Sequence, residues 1–201
     1  MRPIALCLLA LALTACGAIS ALDDAAQPLE IYELRTPEPV SAGPRRGVEV
    51  VVEEPIASGA LTTERIMIRP GPLQAQYIPG VRWADPAPTM VQTLLVRTLS
   101  QSGAFGSVGR RPVGTVADYA VLGELTDFQA ETAGAGPGAT VAIRLTLRVV
   151  RERDARVVAS RDFAATESAA DTDPASLVAA FDRAAGGLLT EIATWLAART
   201  S

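Results

Sequence analysis

VAIRLTLRVVRERDARVVASRDFAA, residues 141–165, decides the fold class. Val141, Ile143, Leu145, Leu147 and Val149 fall on every second position, and Ala142, Arg144, Thr146 and Arg148 alternate with them. Side chains of a strand point to opposite faces in turn, so this is the pattern of an antiparallel strand with one face on a core and one toward water. The charged run Arg151 to Ala155 turns the chain, and Val157 to Ala165 predicts the returning strand. Upstream, Asp118 to Phe128 is apolar on both faces, which predicts an interior strand. The stretch AGAGPGA at 133–139 reads as the loop between them.

Two helices bracket these strands. Downstream, Asp173-Pro174 opens a helix whose apolar stripe is Leu177, Phe181, Ala184, Leu188, Ile192 and Trp195. Gly186-Gly187 lies inside it at about 1 kcal/mol per residue relative to alanine, which predicts a close helix-to-sheet contact or a bend. Upstream, Asp85 is placed as N-cap and Pro86 as the first helical residue, where its missing N–H costs nothing. Met90, Val91, Leu94, Leu95 and Leu99 share one face, and Gly103 is the stop signal. Further strands are expected at Ile31 to Arg35, Val48 to Glu53 and Phe105 to Val108. A hairpin is expected from Arg65–Arg69 and Leu73–Tyr77 across Pro70-Gly71-Pro72. Two main helices and six or seven strands, with helix placed between strands, make the class α/β, in one domain spanning 30–201.

The N-terminus carries a different message. Arg2 and the terminal amine precede an uncharged apolar stretch from Ile4 to Leu13, too short for the roughly 20 residues of a transmembrane helix. It suits the h-region of a secretory signal peptide. Leu13-Thr14-Ala15-Cys16 resembles the lipobox of bacterial lipoproteins. Residues 1–15 are then a removed signal peptide, Cys16 is the lipid-attachment site, and 16–29 form a lipidated tether reaching on the order of 20 Å. Two acyl chains already anchor stably, and a lipoprotein cysteine is expected to carry three. Gly17 rather than Asp after the cysteine favours sorting to the outer membrane, on its periplasmic face, in a Gram-negative bacterium.

Composition removes whole classes of chemistry. The chain has no histidine, and all 18 of its Lys+Arg are arginine, so imidazole triads, Schiff-base lysines and a Walker A motif are excluded. Cys7 leaves with the signal and Cys16 is acylated, so no thiol nucleophile remains. Carboxylates are spread along strands, caps and turns, and mark no catalytic pair. No enzyme activity, cofactor or metal is expected. Nucleic acid is not a partner for an exported acidic chain of net charge −4.

Two stretches are candidate contact surfaces. Arginines 144, 148, 151, 153 and 156 gather on one hairpin. They read as a solvated face that blunts a sheet edge, or as a patch for lipid phosphates or an acidic partner. In YIPGVRWADPAP (77–88), Trp83 reads as packing at the helix N-terminus and Arg82 as bonding a nearby carboxylate or carbonyl. Tyr77, Arg82, Trp83, Arg144 and Arg148 are therefore the candidate partner or ligand surface.

The same stretch carries a family resemblance. Arg65-Ile66 through Arg69, Tyr77, Gly80-Val81-Arg82-Trp83-Ala84-Asp85-Pro86 with Pro88, and Gln92 look like the ABC-type transport auxiliary lipoproteins. So do Ser102-Gly103-Ala104-Phe105 with Val108, Asp118-Tyr119, Leu125 with Phe128, Ala180-Phe181 and Trp195, from about residue 30 onward. The resemblance implies a single three-layer α/β domain with a mixed β-sheet. It also implies a periplasmic accessory working beside ABC transporter subunits and an MCE-domain protein, in a system that moves lipids or other hydrophobic molecules between inner and outer membranes. Phospholipid and further copies of the chain are additional candidate partners, and no catalytic residues carry over. The alternative is a structural or regulatory envelope lipoprotein, a scaffold or synthase activator. A lipid-anchored hydrolase is disfavoured by the missing catalytic groups.

Overall fold

The computed structural model describes residues 29–39, 41–114, 116–132 and 136–200. The expected signal peptide, Cys16 and most of the tether lie outside them, and a packed unit begins at Ile31. In chain order the described strands are β1 (Glu30–Tyr32), β2 (Glu49–Val52), β3 (Ile56–Ala57), β4 (Arg65–Arg69) and β5 (Gln76–Trp83). Helix α1 (Ala87–Gln101) follows, then β6 (Ser107–Gly109), β7 (Tyr119–Thr132), β8 (Ala139–Arg151), β9 (Arg156–Ala169) and helix α2 (Pro174–Arg199).

β7 is the spine of the sheet. Along one edge it pairs antiparallel with β8, from Tyr119↔Arg151 to Thr132↔Ala139, and β9 continues that meander. Its other edge receives three short strands in succession, all parallel to it: β2 at Val50↔Tyr119, β3 at Ile56↔Glu124 and β4 at Ile68↔Ala130. Beyond them β6 pairs parallel with β2, β5 pairs antiparallel with β4, and β1 flanks β5. The expected mixed sheet and α/β class are found.

The alternation that marked β8 sorts its side chains as expected. Val141, Ile143, Leu145, Leu147 and Val149 are no more than 3% exposed, while Arg144 and Arg148 face solvent. Met90, Val91, Leu94, Leu95 and Leu99 of α1 are buried, as are Leu177, Phe181, Ala184, Leu188, Ile192 and Trp195 of α2. Val91 and Leu94 of α1 and Ala185, Leu188 and Leu189 of α2 close over Leu125, Phe128, Ile143 and Leu145, so both helices cover one face of the sheet. On the opposite face, Leu122, Glu124, Thr146 and Arg148 line a groove together with Glu53, Glu54 and Ile56. At the helix-covered centre, Trp83 meets Phe128 and Phe181 edge-on at ring separations of 5.9 and 5.2 Å, and the two phenylalanines are 5.1 Å apart. Such aromatic pairs add about 0.5–1.5 kcal/mol each beyond the area they bury.

Several boundaries differ from the sequence-based expectations, for identifiable reasons. The hairpin partner of β4 is Gln76–Trp83, not Leu73–Tyr77. Leu73 is 98% exposed, and the core contacts are made by Ile78, Val81 and Trp83. The register passes from Arg65↔Arg82 to Met67↔Tyr77, so β5 bulges between these pairs. Pro79 has no N–H for the ladder and Gly80 takes φ +74, which together accommodate the bulge. α1 starts one residue later than expected, with Pro86 rather than Asp85 at the N-cap and no side-chain capping bond. Gly103 does adopt the left-handed stop, at φ +68. β1 ends at Tyr32 instead of Arg35, because the Arg35 backbone N–H turns to the Asp182 carboxylate, 2.8 Å away. α2 runs unbroken through Gly186-Gly187. A Cβ at Gly187 would touch nothing within 4 Å and one at Gly186 only Pro37, so the close contact with the sheet is not made.

Candidate functional site

The five candidate surface residues separate into two groups. Tyr77 and Arg82 are committed within the β4–β5 corner. The Tyr77 hydroxyl donates to the Ala60 carbonyl at 3.1 Å, and the Arg65 guanidinium sits 4.3 Å from the Tyr77 ring centre. Arg82 donates to the Glu64 carboxylate at 2.7 Å and to the Trp83 carbonyl at 3.1 Å, the bonding expected of it. Trp83 is 1% exposed, so it is packing and not surface. Its backbone N–H is held by the Glu64 carbonyl, which aims the indole at Phe128 and Phe181.

Arg144 and Arg148 belong instead to the open face of the sheet. β8 places them two pleats apart, and their cross-strand neighbours on β7 are Asp127 and Leu122. Arg144 Nε donates to Asp127 at 3.0 Å, while Arg69 from β4 approaches the same carboxylate at 3.9 Å. Gln129, fully buried, gives its amide N–H groups to Asp127 and Glu131 and takes the Phe128 N–H on its carbonyl. This end of the face is internally satisfied: Arg144 is solvated as expected, but β8 is paired on both sides by β7 and β9, so it blunts no sheet edge.

Arg148 stands at the other end, beside a groove of about 410 Å³. Leu122, 40% exposed, and Ile56, 77% exposed, are its apolar walls. The register sets Glu124 next to Ile56 on one side and Thr146 on the other. Glu53, Glu54 and Glu152 complete a rim with four carboxylates against the one guanidinium of Arg148. Thr89 of α1 donates to Glu54 at 3.1 Å. Sequence reasoning missed Glu53, Glu54 and Ile56, whose signal was only the end of a β-branched run followed by Pro55. Among the described residues, no group of three or more His, Cys, Asp or Glu could hold a metal ion.

A small apolar pocket between the helices and the sheet measures about 10 Å³, room for about one water and far below the roughly 300–1,000 Å³ of a ligand pocket.

Comparison with known proteins supplies a lineage. The family model described as ABC-type transport auxiliary lipoprotein component matches residues 32–193. A crystal structure of protein XCC0632 from Xanthomonas campestris is 30% identical, with TM-score 0.77, over 84% of this chain and 95% of that one. Protein CT253 of Chlamydia trachomatis shares the fold at 10% identity, with TM-score 0.54, over 77% of this chain and 98% of that one. Protein bll6063 of Bradyrhizobium diazoefficiens is 30% identical over 168 residues, 82% of this chain, and this chain spans 44% of its length.

Proposed function

The chain belongs to the family of ABC-type transport auxiliary lipoprotein components, and on that premise we propose that it is the membrane-anchored periplasmic accessory of an ABC/MCE-type system moving lipids or other hydrophobic molecules between inner and outer membranes. The match over residues 32–193 is the observation that carries this reading. The role is one of docking and not of catalysis. ATP hydrolysis belongs to a partner, since the chain contains no lysine for a phosphate-binding loop. Acylated Cys16 holds the folded part near the outer membrane, and the short tether fixes how far from that surface it works.

Within this role the chain presents a surface and does not swallow cargo. An acyl chain held inside the fold would need a lined apolar cavity, and the apolar pocket between Leu94 and Leu188 of the helices and Phe128 and Leu145 of the sheet is about 10 Å³. The polar open face, with its groove, is the accessible feature.

The test is recovery of the tagged, fully acylated protein from membranes in mild detergent, with mass spectrometry of bound proteins and lipids. ABC transporter subunits and an MCE-domain protein are the expected companions, with no phospholipid in stoichiometric amount. Recovery of a cell-wall synthase or other scaffold across several detergents, with no transporter subunit, would overturn the proposal in favour of a structural or regulatory role.

A further inference from the structure

We infer that the groove between the Glu53–Ile56 connection and the β7–β8 sheet face is the docking site for a basic segment of the partner protein, one that carries arginine or lysine side chains around an aliphatic anchor; the inference rests on the transport-accessory reading above. Ile56 and Leu122 are large aliphatic side chains left exposed, and they share one groove whose other lining is mostly polar. Apolar anchors inside a polar rim are the anatomy of a protein contact.

The rim selects the partner's charge. Four carboxylates, Glu53, Glu54, Glu124 and Glu152, face one guanidinium, Arg148. Lipid phosphate is repelled by this balance. A bound metal ion is not what gathers the carboxylates, since no cluster among the described residues has metal-holding geometry. Charges spread along a groove suit cations spread along a polypeptide, whose approach they also steer. At the opposite end of the face Arg144 and Arg69 converge on Asp127, while on the turn beyond Glu152 Arg151 is held by Asp154, so the four carboxylates against Arg148 describe the groove lining itself.

The experiment is photo-crosslinking in living cells with the full-length, acylated chain carrying Ile56→p-benzoylphenylalanine, followed by sequencing of the crosslinked peptide. The expected adduct is a peptide of a transporter subunit or MCE-domain protein with net positive charge. Its yield should fall about tenfold in the Glu53→Gln/Glu124→Gln double variant, and in isolated membranes it should fall steeply as salt is raised to about 0.5 M. Circular dichroism of that variant checks that the fold is kept; both residues are exposed. A second crosslinker at Leu122, on the facing wall, must give the same peptide. An acidic or neutral peptide, a lipid adduct or a crosslink to a second copy of this chain would each overturn the inference. No adduct from either position, while co-purification still recovers the transporter, would refute the docking site alone. No adduct together with no transporter recovered would refute both readings.

Discussion

The backbone N–H and the guanidinium of Arg35 both donate to the carboxylate of Asp182, which lies 147 residues further along the chain. The contact fastens the segment leaving β1 to helix α2. Burial of Asp182 disfavours its charge, but the side-chain and backbone hydrogen bonds from Arg35 outweigh that and hold its carboxyl below the ordinary range. A carboxyl whose folded pKa is depressed contributes its full stabilisation above its unfolded pKa, and loses it as pH falls through the folded value. Asp182→Asn should therefore lower Tm by about 2–4 °C at neutral pH. The gap to the wild type should shrink as pH is taken from about 5 down to 3, as followed in thermal melts by circular dichroism. A gap that stays constant over that range would rule out the Asp182 carboxylate as its source.

Trp83 is expected to matter to stability and not to partner binding. Trp83→Ala empties the space between Phe128 and Phe181 and should cost about 3–5 kcal/mol in denaturant unfolding. Trp83→Phe keeps most of the packing and should recover partners as the wild type does, because the indole is 1% exposed. Loss of partner recovery by a well-folded Trp83→Phe protein would contradict this assignment.

Gln92 is a buried polar contact between α1 and β2. Its Nε2 donates to the Val52 carbonyl at 2.9 Å. Gln92→Leu removes that donor inside the core, so a loss of about 1–3 kcal/mol is expected. Urea titration should show it as a lower midpoint with an unchanged slope.

Acylation at Cys16 makes a prediction of another kind. Cys16→Ser should release the protein from membranes and remove the acyl mass seen by intact-protein mass spectrometry. The Tm of the folded part should not move, since its buried apolar core begins at Leu34. Retention in the membrane pellet with the acyl mass intact would refute lipid attachment at this residue.

The parts of the fold with strict periodicity were legible in the sequence. β8 repeats every two residues for its whole length, and α1 and α2 repeat their apolar positions at helical spacing, so their faces followed directly. β5 was misplaced because Pro79-Gly80 interrupts the alternation at the bulge and reads as a loop. β3, two residues long, has no period to detect; only its pairing with Glu124 and Leu125 makes it a strand. The candidate site divides along the same line. The outward direction of Arg144 and Arg148 follows from the strand period, whereas Trp83 sits in a motif whose distinctiveness reflects core packing. The groove joins Ile56 to Leu122 and Arg148 through tertiary structure, and no local pattern connects them.

The branched edge of β7 divides the sheet into long-range and local pairings. Val50 with Tyr119, Ile56 with Glu124 and Ile68 with Ala130 each pair across about sixty residues or more of chain. β2, β3 and β4 complete their hydrogen bonding only on a strand that follows them by about sixty residues or more. The β7–β8–β9 meander closes between sequence neighbours at lower entropic cost, and contacts of that kind form fastest. The first half of the chain thus depends for much of its pairing on a strand that lies far along the sequence, whereas β7, β8 and β9 pair among themselves.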